Sequence, residues 1–184
     1  MSSNEGPILI TGAAGFIGAA LVERFLNFGS IVIGIDNLNN YYEKKLKLDR
    51  LKNIEKNLKD KNLWKFNEIS ITKKDKLKEI MIESKPRIII NLAAQAGVRY
   101  SLTNPQEYIN TNLLVFSNVL EISKEFEIEH LIYASSSSVY GGNSQFPFKE
   151  DQKVDNPISL YAATKISNEL MAHTYSHLFG IPSI

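Results

Sequence analysis

No cysteine occurs among the 184 residues, which excludes disulfides, thiolate metal sites and thiol nucleophiles and fits a reducing compartment. Neither sign of charge is in excess. The 21 Lys and Arg stand against 20 Asp and Glu, a formal net charge of +1, so nothing favours nucleic acid or an anionic membrane as a partner. No run is apolar for the length that crosses a bilayer, and residues 1–6 show no basic start followed by an apolar stretch. Histidine is scarce: His173 and His177 sit one helical turn apart without a third ligand nearby, so no metal site is expected. Internal repeats and low-complexity linkers are missing as well. What remains is ordinary globular composition, expected to form a single domain over residues 1–184 in the cytoplasm.

The most informative stretch present is residues 8–18. Ile8, Leu9 and Ile10 read as a buried strand, and Gly12, Gly15 and Gly18 as a turn that feeds a helix. Glycines at this spacing permit the turn, bring backbone N–H groups close to a pyrophosphate, and let helix and strand pack tightly. The same pattern can also serve packing alone. A second strand over 31–35 ends in Asp36, placed to accept hydrogen bonds from the adenosine ribose hydroxyls. Asn37 and Leu38 follow, with no arginine, so Asp36 would repel a 2′-phosphate and NAD is favoured over NADP.

Apolar periodicity predicts helices over 16–28, 41–61, 73–83, 105–126 and 159–178, the third expected to be short and the fourth the longest. Strands are predicted over 63–67, 87–92 and 130–134, with the first residues of a sixth at 181–184. The lysine-rich helix over 41–61, with Leu46, Leu48, Leu51, Ile54 and Leu58, reads as a solvated face with one thin apolar stripe. Alternating strands and helices imply an α/β fold, a parallel sheet wound on both sides in the order 3-2-1-4-5-6.

The loop after the fifth strand contains Ser135, Ser136, Ser137 and Ser138, at the sheet edge where parallel sheets bind their ligands. Tyr161 and Lys165 lie four apart on the last helix and share a face. An ammonium beside a phenol favours the phenolate, which makes a tyrosine usable as a general base. Arg99, after the fourth strand, is a candidate for a phosphate or a sugar carboxylate, or for a surface ion pair.

Taken together these motifs resemble the extended short-chain dehydrogenase/reductases, and within them the NAD-dependent nucleotide-sugar epimerases. The resemblance runs through residues 11–18, Asn91-Leu92-Ala93-Ala94-Gln95, residues 135–141 and Tyr161-Ala162-Ala163-Thr164-Lys165. It is nearest to UDP-glucuronate 4-epimerases through residues 36–42 and 94–101. The resemblance implies a Rossmann fold with NAD held by Gly12, Gly15, Phe16, Ile17, Gly18, Asp36, Asn37, Leu92, Ala93, Ala94, Tyr161 and Lys165. It also implies Tyr161 as base, Lys165 on the nicotinamide ribose, and Ser136 on the sugar 4-hydroxyl. Arg99, Ser137 and Ser138 complete the expected substrate contacts. Oxidation to a 4-keto sugar, rotation of that intermediate and return of hydride to its other face would invert one carbon.

Dehydratases of the family carry an Asp-Glu pair where this chain has Ser137 and Ser138, which favours epimerisation over water elimination. Two departures stand out. Ser70 occupies the place of an aspartate that reaches the adenine amino group, implying rearranged adenine anchoring, and Asn91 replaces a common histidine. Relatives continue for about another domain's worth of residues, so the chain is expected to stop before a C-terminal substrate domain and to be inactive by itself. A non-catalytic NAD module, half of a split enzyme completed by a second chain, and a dehydratase or reductase are the alternatives. The helices near 105–126 and 159–178 are expected to pair in a homodimer, as they do in the family.

Overall fold

The computed structural model describes residues 6–184, so the leaderless reading of the first residues lies outside it at positions 1–5. Five parallel strands form one sheet in the order β3-β2-β1-β4-β5. They are β1 (Ile8–Thr11), β2 (Val32–Asp36), β3 (Trp64–Glu68), β4 (Ile88–Asn91) and β5 (His130–Tyr133). The register is regular, with Ile8 opposite both Val32 and Ile88. The expected sixth strand is reduced to residues 182–184 beside β5. Leu131 N–H donates to the Pro182 carbonyl at 2.8 Å, and a single bridge joins Leu131 to Ser183.

Alternation along the strands sends residues to opposite faces, and each face has its own core. Ile8, Ile10, Val32 and Ile90 pack beneath α1 (Phe16–Asn27) and α2 (Lys44–Asn57). Leu9, Ile33, Ile35, Ile89 and Leu131 pack against α3 (Lys74–Ser84) and the later helices. Trp64 reaches under β2, where a Cβ on Gly34 would lie 2.3 Å from its indole, so only glycine leaves room for that ring.

Three helical expectations change. The lysine-rich helix is shorter than 41–61, and its buried stripe is Lys47, Leu51 and Ile54, whereas Leu46 and Leu48 are exposed. A turn of helix, α4 (Tyr100–Thr103), precedes Pro105, a segment not anticipated. The helix over 105–126 is not uniform: α5 (Pro105–Tyr108) runs through a π-helical segment, Ile109–Leu114, into α6 (Val115–Glu125). The widened turn carries Asn112 on the buried face with Tyr108 and Val115, the face on which the helical repeat places it. The last helix, α7 (Leu160–Phe179), starts as expected, with the Ser159 hydroxyl accepting the Ala162 N–H at 3.1 Å, and stops at Gly180 with φ +67°.

Packing between α1 and the turn before it is close. A Cβ on Gly18 would stand 2.1 Å from the Gly12 carbonyl oxygen, whereas one on Gly142 meets nothing closer than 3.9 Å. Gly18→Ala is therefore expected to destabilise the fold by about 1–3 kcal/mol through forced backbone shifts, and Gly142→Ala to leave it nearly unchanged. Urea denaturation of both variants checks the contrast.

Candidate functional site

At the carboxyl ends of β1, β2 and β4 the sheet opens into a cleft of about 460 Å³. Its floor is the glycine turn. Gly12 has φ +67°, and a Cβ there would fall 2.9 Å from the Ala93 N and the Leu92 carbonyl carbon, so this position requires glycine twice over. Gly15 N–H donates to the Gly12 carbonyl at 2.9 Å. Its own Cβ would meet nothing within 4 Å except that oxygen, at 3.0 Å, so it is the open face of the turn. Phe16 and Ile17 follow at the start of α1, where backbone N–H groups have no partner within the helix.

Asp36 closes one side of the cleft. Its Oδ2 accepts the Ala14 N–H at 3.3 Å, and its Oδ1 accepts the Leu38 N–H at 2.8 Å and the Lys47 ammonium at 3.1 Å. Lys47 also donates to Asn39 Oδ1 at 2.9 Å. Beside it, Arg50 donates to the Ala14 carbonyl at 3.3 Å and to the Tyr42 hydroxyl at 3.1 Å. The sequence argument that nothing basic accompanies Asp36 is thus corrected. A lysine eleven positions on pairs with it, because α2 folds back over the end of β2. Periodicity held the signal, since Lys47, Leu51 and Ile54 share one helical face.

The cofactor candidates Gly12, Gly15, Phe16, Ile17, Gly18, Asp36, Asn37, Leu92, Ala93 and Ala94 all line this cleft. Tyr161 and Lys165 stand beyond it on α7. Lys165 Nζ donates at 2.9 Å to the carbonyl of Ala134, itself part of the cleft wall. Burial pushes that amine down to about 8. Tyr161 packs edge-on against Tyr108, with ring centroids 6.0 Å apart. Tyr108 is fully buried and donates to the Ala96 carbonyl at 2.8 Å, with the Gly97 carbonyl equally close at hand. Burial raises its pKa above the usual phenol range.

The serine loop turns into a short 3₁₀ helix, Ser137–Tyr140, that packs against α7. Ser136 is its cap and accepts the Ser138 N–H at 3.2 Å and the Ser138 hydroxyl at 2.9 Å. Ser137 is exposed, and Ser135 turns away to the Glu169 carboxylate. Arg99 is exposed at the start of α4 and forms no ion pair among the described residues.

The helical repeat over 105–126 runs through Asn112, and Gln95 lies in the stretch that carries the resemblance, but the sequence assigned neither a part in joining these elements. Asn112 Oδ1 accepts the Gln95 N–H at 2.8 Å, and its amide donates to the Gln95 carbonyl at 3.1 Å and to Thr164 Oγ1 at 3.0 Å. Thr164 donates to the Tyr161 carbonyl at 2.8 Å, and Asn168 to the Asn112 carbonyl. One buried amide therefore ties the loop after β4 to the helix bearing Tyr161 and Lys165. An asparagine at an otherwise apolar helical position was the available signal.

The site fits a dinucleotide: a glycine cradle that a side chain would fill, unpaired helix N–H groups beside it, and a carboxylate one strand away. Among the described residues no group of three metal-ligating side chains converges, and no helix is long and apolar enough to cross a membrane.

Comparisons with known proteins agree with this geometry. The family described as GDP-mannose 4,6 dehydratase matches residues 9–184. Protein CapI of Staphylococcus aureus is 52% identical over 96% of this chain and 51% of its own length. A UDP-glucuronate 4-epimerase of Thermodesulfobacterium geofontis is 46% identical over 96% of the chain and 53% of its own. Among solved structures, the UDP-glucuronic acid 4-epimerase of Bacillus cereus in complex with UDP-glucuronic acid and NAD superimposes with a TM-score of 0.86. It shares 34% identity, covering 97% of this chain and 55% of that one. The chain spans about half the length of the relatives it matches.

The buried Lys165 amine has a consequence for stability. Its folded pKa of about 8 lies below the ordinary lysine value of 10.5, so below pH 8 folding carries a charge-burial penalty of about 3 kcal/mol at 1.36 kcal/mol per unit. The unfolded chain binds more protons between pH 8 and 10.5, so this residue's contribution to stability rises with pH across that window. Lys165→Met is expected to gain on the wild type at pH 7, with the difference shrinking toward pH 10.5. Urea denaturation of both proteins at a series of pH values measures it.

Proposed function

The chain belongs to the nucleotide-sugar family described as GDP-mannose 4,6 dehydratase, and from that premise we propose that it is the NAD-binding part of a UDP-sugar 4-epimerase, with UDP-glucuronate as substrate. The observation that carries the choice of reaction is the serine cluster beside α7. Eliminating water from a sugar needs an acid and a base beyond the redox pair. The two positions after Ser136 supply only hydroxyls, one exposed and one bonded to Ser136.

In this reading the N-terminus of α1, with Gly12, Gly15, Phe16, Ile17 and Gly18, holds the pyrophosphate. Asp36 and Asn37 take the adenosine ribose, and Leu92, Ala93 and Ala94 wall the far side. Lys165, fixed on Ala134, meets the nicotinamide ribose and supports the Tyr161 phenolate. Ser136 hydrogen-bonds the sugar 4-hydroxyl, and Arg99, with no ion pair of its own among the described residues, meets the sugar carboxylate. A bound NAD would supply the hydride acceptor for sugar C4 and the donor for its return. Tyr161 removes the hydroxyl proton as C4 is oxidised to the ketone and gives it back when C4 is reduced on its other face. Protons and electrons balance within the cycle, so reduced nucleotide does not accumulate.

A homodimer is part of the same proposal. Leu114 on the π-helical segment and Leu170 and Leu178 on α7 are 51%, 63% and 61% exposed, apolar surface that a second copy of the chain would cover. Sedimentation at micromolar concentration should give a dimer, and a monomer there refutes this part.

Calorimetric titration with NAD tests the cofactor site: saturable binding is expected, and Gly15→Val, which fills the open face of the turn, should abolish it. For the reaction, the chain is mixed with the C-terminal half of a relative and UDP-glucuronate. Interconversion of the two C4 epimers without net NADH is expected, and Tyr161→Phe should lower the rate by about 10²–10⁴-fold. Retained NAD binding with no turnover in that mixture would support a non-catalytic module instead, and net NADH a dehydrogenase.

A further inference from the structure

Beyond Asp36, the outer end of the cleft is formed by Ile69, Ser70, Ile71 and Thr72, the turn that follows β3. A dinucleotide with its pyrophosphate at α1 and its ribose at the end of β2 places its purine here, one strand further along the sheet edge. Half-buried Ile69, backed by the largely buried Ile71, offers the base an apolar surface. The polar groups at its edge are hydroxyls. Among the described residues that line the cleft, Asp36 is the only carboxylate, and it is committed to Ala14, Leu38 and Lys47. Glu68, the acid nearest this turn in sequence, is exposed and 3.7 Å from the Lys44 amine.

Ser70 Oγ and Thr72 Oγ1 lie 2.8 Å apart, and either can be the donor. The turn that presents them is held from outside. Asn118 donates to the Ile71 carbonyl at 3.1 Å, and Lys73 N–H to the Ser70 carbonyl at 3.0 Å. A pair of hydroxyls sharing one hydrogen bond always keeps one O–H to give and lone pairs to accept with, and its direction reverses by rotation alone. A carboxylate at the same place could only accept.

A 6-amino purine presents a donor at position 6 and an acceptor at N1, and a 6-oxo purine presents the reverse. We infer that the Ser70–Thr72 hydroxyl pair reads the purine edge of the dinucleotide without distinguishing amino from oxo, so the chain takes nicotinamide hypoxanthine dinucleotide about as well as NAD. The inference rests on the NAD site proposed above. It makes this end of the cleft permissive, while Asp36 and the glycine turn supply the binding that does not depend on the base.

Titrating the chain with NAD and with its hypoxanthine analogue tests this directly. The two dissociation constants should agree within about threefold, and Ser70→Asp should open a preference for NAD of about tenfold or more by leaving the 6-oxo group facing a second acceptor. Ser70→Ala combined with Thr72→Val, checked for folding by circular dichroism, should weaken both nucleotides to a similar extent. A wild-type preference for NAD of about tenfold or more overturns the inference, as does a double variant that binds both as tightly as the wild type. Failure of a folded chain to bind either nucleotide overturns the cofactor site itself, and this inference with it. NAD binding with a steep base preference overturns only the inference.

Discussion

The Asp36 carboxylate is the junction on which the cofactor half of the molecule depends. Three segments meet on its two oxygens: the glycine turn through Ala14, the loop just after β2 through Leu38, and α2 through Lys47. Both members of the Asp36–Lys47 pair are almost wholly buried, so each needs the other to offset the loss of water. Leu38, held at φ 47° by this arrangement and buried at 4% exposure, shows how firmly the loop is set. Arg50 completes the clasp from α2 by donating to the Ala14 carbonyl. The floor and one wall of the cleft are therefore a single hydrogen-bonded unit.

The other half is organised by Asn112. A π-helical segment is a less favourable way to wind a chain than a continuous α-helix, and here it seats a polar side chain that partners Gln95 and Thr164, while the Asn112 backbone carbonyl accepts from Asn168. Every hydrogen bond of that set crosses between elements, from the loop after β4 to α7. The same helix brings Lys165 to the Ala134 carbonyl and Tyr161 to the buried ring of Tyr108. The cleft wall and the helix carrying the proposed base are thus one rigid assembly. The buried amine at Lys165 is tolerated at a cost in stability, a pattern common where a charge is kept for chemistry.

These two units lie side by side along one sheet edge and divide the work proposed for the chain. The glycine turn and Asp36 grip a dinucleotide by its phosphates and ribose, the α7 side addresses its reactive end, and the hydroxyl turn after β3 meets its base. A relative about twice this length, solved with UDP-glucuronic acid and NAD, shares the fold over the part that aligns. In the proposed function the serine cluster beside α7 is what favours oxidation and reduction at one carbon, because hydroxyls there do not replace the acid and base of an elimination.

Much of this was legible in the residues themselves. Strand and helix order, the parallel sheet, the glycine turn and the position of Asp36 at the end of β2 all follow from patterns of short range, which local sterics and side-chain periodicity impose wherever the chain goes. Lys47, Asn112 and Gln95 were not legible in that way. Lys47 looked like one more solvated lysine until α2 folded back over β2, and Asn112 stood on the buried side of its repeat with nothing in the sequence to say which groups it meets. By itself, then, the sequence determined the fold class and the kind of ligand, because backbone conformation and strand alternation are local. The tertiary structure alone decided which charges pair, which polar groups are buried and how the two halves of the site are joined, because those depend on desolvation between segments far apart in the chain.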